Sequence, residues 1–232
     1  MVSKRIYLFL SFLGIVLIIF YGLLWSGKYV SKNNMIRLIE PTKKGKISLE
    51  ECLDNRRSRR TFSDDFLSLF EISQILWAGQ GISSPRNFRT VPSAGALYPI
   101  DLYVVVSNVE TLSKGVYKYI PIGHKLEKVK DGDKREELYK SCYSQDSVNM
   151  APLSVVIIGV YDKTMQKYGE RGRQYLHIEV GCAVQNIYLE VESLALGTVC
   201  IGAFDDAKIR RVLSLSDKEV PFVVMPIGKI KT

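Results

Sequence analysis

Two stretches decide the reading: Arg56-Arg57-Ser58-Arg59-Arg60-Thr61-Phe62 and Pro92-Ser93-Ala94-Gly95-Ala96-Leu97-Tyr98-Pro99. The first gathers four guanidinium groups around one serine hydroxyl. Guanidinium forks bind a phosphate monoester through paired, charge-assisted hydrogen bonds, and a short hydroxyl adds to them. Taken alone, the run also fits a solvated turn after a helix, with arginine offsetting the negative end of the helix dipole. The second stretch is a loop of small residues framed by prolines, where backbone can approach a flat ligand closely. Taken alone, it also fits an ordinary turn into a strand that begins near Leu102. Ser93 has no G-x-S-x-G surroundings, which argues against a hydrolytic nucleophile.

Working outward, Ser48-x-x-Glu51 is a capping box, and Leu49, Cys52 and Leu53 supply one apolar helical face. The short helix they predict delivers the arginine run at its end. Ser68-x-x-Glu71 predicts a second helix with Leu69, Ile72, Ile75 and Leu76 inward and Gly79 as its stop. LYVVV (102–106) and VVIIGV (155–160) read as core strands, and 116–119 with 126–129 as a hairpin. The longest helical pattern runs from Gln174 to Leu196, apolar almost all round, with Gly197 as its C-cap. A short strand follows at 199–201, then a helix over 206–213 with Asp205 as N-cap, then a last strand over 221–227. This irregular alternation, with a hairpin in the middle, predicts an α+β fold rather than a doubly wound sheet.

The chain has 232 residues, a formal net charge of +8 and 47% hydrophobic residues. A basic balance fits nucleic acid, acidic lipid or an anionic cofactor as partner. No helix-turn-helix signature, zinc-finger spacing or basic–aromatic stripe is present, so no nucleic-acid partner is expected. Cys52, Cys142, Cys182 and Cys200 are widely spaced and read as buried thiols; with only His124 and His177 beside them, no metal site is expected. There is no G-x-G-x-x-G after a strand and no Walker A loop.

Ile6 to Trp25 is uncharged and apolar. Its twenty residues span about 30 Å as a helix, the thickness of a bilayer core, and Tyr7, Tyr21 and Trp25 lie near its ends. This predicts a retained single-pass membrane helix. The lysine and arginine excess that follows it, from Lys28 to Lys46, predicts a soluble domain on the cytoplasmic side. The expected organisation is an anchor over 1–27, a juxtamembrane linker over 28–47 and one domain over 48–232.

The two opening motifs resemble the FMN-dependent nitroreductase family, and Pro-Ser-Ala-Gly-Ala-x-Tyr-Pro is similar to its SagB-type dehydrogenase branch. The resemblance covers about residues 48–230. It implies a nitroreductase-like mixed, largely antiparallel sheet flanked by helices. It implies bound FMN, with Arg56, Ser58 and Arg60 reaching the phosphate and the pyrimidine edge. Pro92, Ser93 and Gly95 would stand beside the ring, usually from a second subunit, since family members are intertwined homodimers. Cys200-Ile201-Gly202-Ala203 would run along the flavin edge, with the N–H of Ile201 or Gly202 as donor. Lys167-Tyr168-Gly169-Glu170-Arg171, then Glu179, Gly181, Gln185 and Asn186, is similar to a SagB-type run in which the Lys-Tyr pair assists proton removal. The pair is also a common dipeptide that fits an exposed loop. Where the family often has histidine after the glycine, this chain has Cys182. The implied reaction is two-electron transfer between a substrate and flavin. Three forms stay open: a peptide azoline dehydrogenase working with a cyclodehydratase, an NAD(P)H-dependent nitro or quinone reductase on small molecules, and a non-catalytic redox sensor or scaffold at the membrane.

Overall fold

The computed structural model describes residues 34–231. The chain divides after Ile36, and the unit that starts at Arg37 holds every candidate site residue. A short strand, β1 (Met35–Arg37), opens the described residues. Two helices follow, α1 (Leu49–Asn55) and α2 (Leu69–Gln80). Both expected capping boxes form: the side chains of Ser48 and Ser68 accept from the amides of Glu51 and Glu71, whose carboxylates reach back to the cap amides. Gly79 does not stop α2. It packs inside it, and Gly81 is the cap.

The sheet is built from β2 (Ile100–Val106), β3 (Gly115–Ile120), β4 (Lys125–Asp131), β5 (Leu153–Gly159), β6 (Leu196–Thr198) and β7 (Val220–Lys229). Their order is β4-β3-β2-β5-β7-β6, with each of these neighbours antiparallel. The expected parallel component is absent from these pairings. The last strand finds its partners within the chain.

Between the strands lie α3 (Arg135–Ser141), α4 (Asp146–Met150), α5 (Tyr161–Tyr168), α6 (Arg171–Ser193) and α7 (Asp206–Leu213). Side chains alternate across a strand, so β2 serves two cores. Tyr103 and Val105 pack with Leu138, Cys142, Ile209 and Leu213 of α3 and α7. Leu102 points the other way, toward Gly79 of α2 and Ile187 of α6. Burial on both faces explains why β2 and β5 read as unbroken apolar runs. The part of the expected linker from Leu38 on packs into this unit. Leu38 is buried and its amide donates to His124, while the amide and carbonyl of Thr42 bond the side chain of Gln74.

The helix pattern placed over 174–196 begins three residues earlier and ends sooner. Leu194 caps it, Ala195 turns at φ 56°, and Gly197 enters β6 instead of closing the helix. Nor is α6 apolar or buried all round: Arg173, Gln174 and His177 are exposed on it, and Ile178 stands 63% exposed beside them. The expected membrane localisation is corrected: among the described residues no helix is long and apolar enough to cross a membrane. The run 6–25 on which that expectation rested lies outside the described residues.

Gly172 positions the site. A Cβ there would come within 2.7 Å of the Thr164 carbonyl carbon and 2.8 Å of the Met165 nitrogen, both backbone atoms of α5. Gly172→Ala should therefore push α5 off α6 at a cost of about 1–3 kcal/mol. The midpoint of urea unfolding should fall; an unchanged midpoint would show that α5 is not held by this contact.

Candidate active site

The helix α1 ends at Arg56, whose φ of −54° and ψ of 121° turn the chain out of the helix. The run 56–60 then passes alongside β6. Ser58 bridges Thr198 in parallel, and the Arg59 amide donates to the Thr198 carbonyl at 2.9 Å. The four arginines separate by partner. Arg57 donates to the carbonyls of Asp54 and Arg56, and Arg59 pairs with Glu192 of α6 at 3.0 Å. Arg56 lies over the ring of Tyr188, 5.0 Å from its centroid. Arg60 is exposed, and no carboxylate among the described residues pairs with it.

Tyr188 is the residue that the sequence reading misses. It lies on α6, 7% exposed, and its hydroxyl is 3.0 Å from the Ser58 hydroxyl and accepts from the Cys200 amide at 2.8 Å. One phenol thus joins the arginine run to the loop after β6. A tyrosine one position after Ile187, on the buried side of the helix, is the available signal, since a buried hydroxyl seeks partners. Of the two loop amides expected to serve a ligand, that of Ile201 is committed, donating to Val224 at 2.9 Å. Gly202 is exposed, its amide has no partner among the described residues, and a Cβ there would meet nothing within 4 Å. Nothing in the described chain requires glycine at 202, so open space and a free donor coincide there.

The second group of expected residues assembles elsewhere. Pro92 is exposed, and Ser93 precedes a single turn of 3-10 helix, Ala94–Ala96. Gly95, Ala96 and Tyr98 all have positive φ, at 62°, 54° and 48°. Two of these are not glycine, so the loop holds a conformation that ordinary side chains disfavour. The Ser93 hydroxyl steadies it by accepting from the Tyr98 amide at 2.8 Å. A Cβ on Gly95 would stand 2.6 Å from the Tyr168 hydroxyl and 2.8 Å from Lys167 Nζ. The Lys-Tyr pair therefore rests on the Pro92–Pro99 loop, about seventy residues away in sequence. The pair belongs to the last turn of α5 and not to an exposed loop. Gly169 ends that helix at φ 55° and ψ −145°, a conformation reserved in practice for glycine. Tyr168 packs edge-on against Tyr175 of α6, ring centroids 5.0 Å apart.

Behind this loop Glu179 of α6 is buried, and desolvation pushes its carboxyl up to about 7. Ser93, Arg89, Gln80 and Lys163 each oppose that rise. Nine positions on, Tyr188 marks the other group, so the two lie about 14 Å apart along α6. One chain brings Arg56, Ser58, Ile201 and Gly202 together, and Ser93, Gly95, Lys167 and Tyr168 together, but does not merge the two sets.

A family model described as the nitroreductase family matches residues 53–229. A protein of Methanocaldococcus jannaschii, named as a nitroreductase, is 44% identical over 79% of this chain and 91% of its own length. The microcin B17-processing protein McbC of Escherichia coli is 28% identical over 71% of this chain. The match spans 63% of McbC, so McbC extends well beyond it. Among solved structures, a chain of the E. coli microcin synthetase McbBCD complex, with truncated pro-MccB17 bound, superposes with a TM-score of 0.66. It is 25% identical and covers 82% of this chain and 76% of that one.

Tyr188→Phe should leave the Cys200 amide and the Ser58 hydroxyl short of a partner. The expected loss is about 1–3 kcal/mol of stability, read as a lower urea midpoint with the fold retained. A midpoint equal to the parent's would mean that the phenol is not the joint between the two segments.

Proposed function

Since the chain belongs to the nitroreductase family, with McbC among the relatives that support its SagB-type branch, we propose that this oxidoreductase uses FMN to remove two electrons from a peptide substrate. The observation that carries the reading is the seating of Lys167 and Tyr168 on Gly95. It sets a candidate base pair against the loop that the resemblance places beside the flavin.

The residues present fit the cofactor. Gly202 offers an unused amide with open space around it, and Arg60 a guanidinium with no carboxylate among the described residues. Arg56, Ser58 and Arg60 would hold the phosphate and the pyrimidine edge, and Gly202 would donate to the ring from its edge. Pro92, Ser93 and Gly95 would close over the ring. When bound, FMN supplies the two-electron acceptor for a hydride that leaves a substrate carbon. The neutral amine of Lys167, or the phenolate of Tyr168, would take the proton that leaves with it, each having first passed its own proton to solvent. Gly169 and Gly172 keep these two side chains at the loop by fixing the end of α5 against α6.

The pairing of the two residue groups is assigned to a homodimer, in which the Arg56 group of one chain meets the Ser93 group of the other. Their separation along α6 supports this, as do Ile178 and Gly181 on its outer face. Gly181 is a mid-helix glycine with nothing within 4 Å of its missing side chain, a costly choice unless something approaches closely. The substrate class is a peptide azoline delivered by a partner cyclodehydratase, a reading favoured by the likeness to McbC and to a chain of a peptide-bound synthetase complex. A second reading, reduction of nitro or quinone compounds by NAD(P)H, is favoured by the M. jannaschii relative.

Two sets of variants separate these statements. Arg56→Ala and Arg60→Ala should each weaken FMN binding ten- to a hundredfold, about 1.5–3 kcal/mol for a charge-assisted contact, while the chain stays folded. Parent-like affinity in both would remove the cofactor assignment. Lys167→Ala should keep FMN yet slow peptide oxidation by about 10²–10⁴-fold, with a smaller loss for Tyr168→Phe. Flavin reduction by dithionite should not change. Parent rates in both variants, with ready bleaching by NAD(P)H, would leave the reductase reading in its place.

A further inference from the structure

Glu179 has no part in the chemistry described above, yet its setting is built with care. It is 2% exposed, and its Oε1 has no hydrogen-bond partner among the described residues. Gln80 Nε2 is a second buried polar atom left alone in the same region. Orphans of this kind call for an explanation. The surroundings supply one. Gln80 lies on α2, and its Oε1 accepts from Arg89 at 2.5 Å. Arg89 stacks over the Tyr98 ring, 4.4 Å from its centroid, and its amide donates to the Tyr98 hydroxyl at 3.2 Å. Ser93 spends its oxygen on the Tyr98 amide, which leaves its hydrogen free to turn toward the carboxyl. Arg89 and Ser93 both end on Tyr98, within the strained loop that seats Lys167 and Tyr168.

Resting on the assignment of that loop to the active site, we propose that the buried carboxyl of Glu179 is a positioning group that fixes the Pro92–Pro99 loop from behind, through Ser93 and through the Gln80–Arg89 pair. Glu179 touches neither substrate nor cofactor. It acts by holding Gly95 where Lys167 Nζ and Tyr168 Oη meet it.

The carboxyl works in its neutral form. Burial raises it to about 7, against the opposing pull of Ser93, of the cations Arg89 and Lys163, and of Gln80. A carboxyl whose folded value is raised favours the folded arrangement below its ordinary range and loses that contribution as pH rises through the folded value. Above about pH 7 the carboxylate is a desolvated charge, and water reaches it only if the loop lifts. The loop should therefore loosen on the alkaline side.

The test is amide hydrogen exchange across residues 92–99 of the full chain without flavin, expressed as protection relative to the unfolded peptide. Protection in the parent should fall by about tenfold between roughly pH 6 and pH 8. Glu179→Gln, neutral at every pH and nearly the same shape, should keep the acid-side protection throughout. Glu179→Ala should lie about tenfold below the acid-side protection of the parent at both values, the worth of one such contact. Parent-like protection in Glu179→Ala at about pH 6, or Glu179→Gln behaving like Glu179→Ala, would overturn the proposal. If Glu179→Ala does not fold, the comparison of parent with Glu179→Gln decides: a flat parent profile sinks the idea. Because no flavin is present, this outcome is separate from the cofactor assignment, which the Arg60→Ala titration judges.

Discussion

Burying the Tyr188 hydroxyl against the sheet obliges it to find partners, and it finds them in two segments that are distant in sequence. Ser58 meets it from the arginine run and the Cys200 amide from the loop after β6. The polar atoms buried along α6 thus determine what lies beside it. At one end the phenol gathers Arg56, Ser58 and the Gly202 loop. At the other end Glu179 stands behind Ser93, with Tyr175 packed against Tyr168. The apolar residues between them, Val180, Ala183 and Ile187, bury the helix and hold both ends at a fixed separation.

That separation has a functional consequence. A cation-rich cradle with a free amide lies at one end of α6, and a lysine–tyrosine pair seated on a strained loop lies at the other. Neither set is a complete redox site. On the proposed reading the cradle would bind and polarise an anionic ring, but it has no evident base. The pair has groups able to move a proton but no cradle. In the homodimer proposed above, a second copy of the chain, turned so that each cradle faces the other copy's loop, would supply both.

Much of this was legible in the sequence where local chemistry is self-contained. The capping boxes at Ser48 and Ser68 and the Asp205 cap formed as read, because each needs only residues within one turn. The strands β2 and β5 were legible because burial on both faces leaves continuous apolar runs. The helix α5 was not, since it is short and polar and only Thr164 of its eight residues is buried. Its place is fixed instead by the close approach of Gly172, which only the tertiary structure shows. The roles of Tyr188 and Glu179 were hidden for the same reason: a polar residue on a buried helix face gains its meaning from what packs over it. The Ile201 amide was assigned too much, because its bond to Val224 depends on a strand more than twenty residues away.

Native mass spectrometry of the full chain mixed with FMN tests the central claim most directly, because it counts chains and cofactors in one spectrum and needs no substrate. The account predicts a species of two chains carrying two FMN molecules, with single chains free of flavin. A single chain that retains FMN, or a dimer that takes up none, would contradict it.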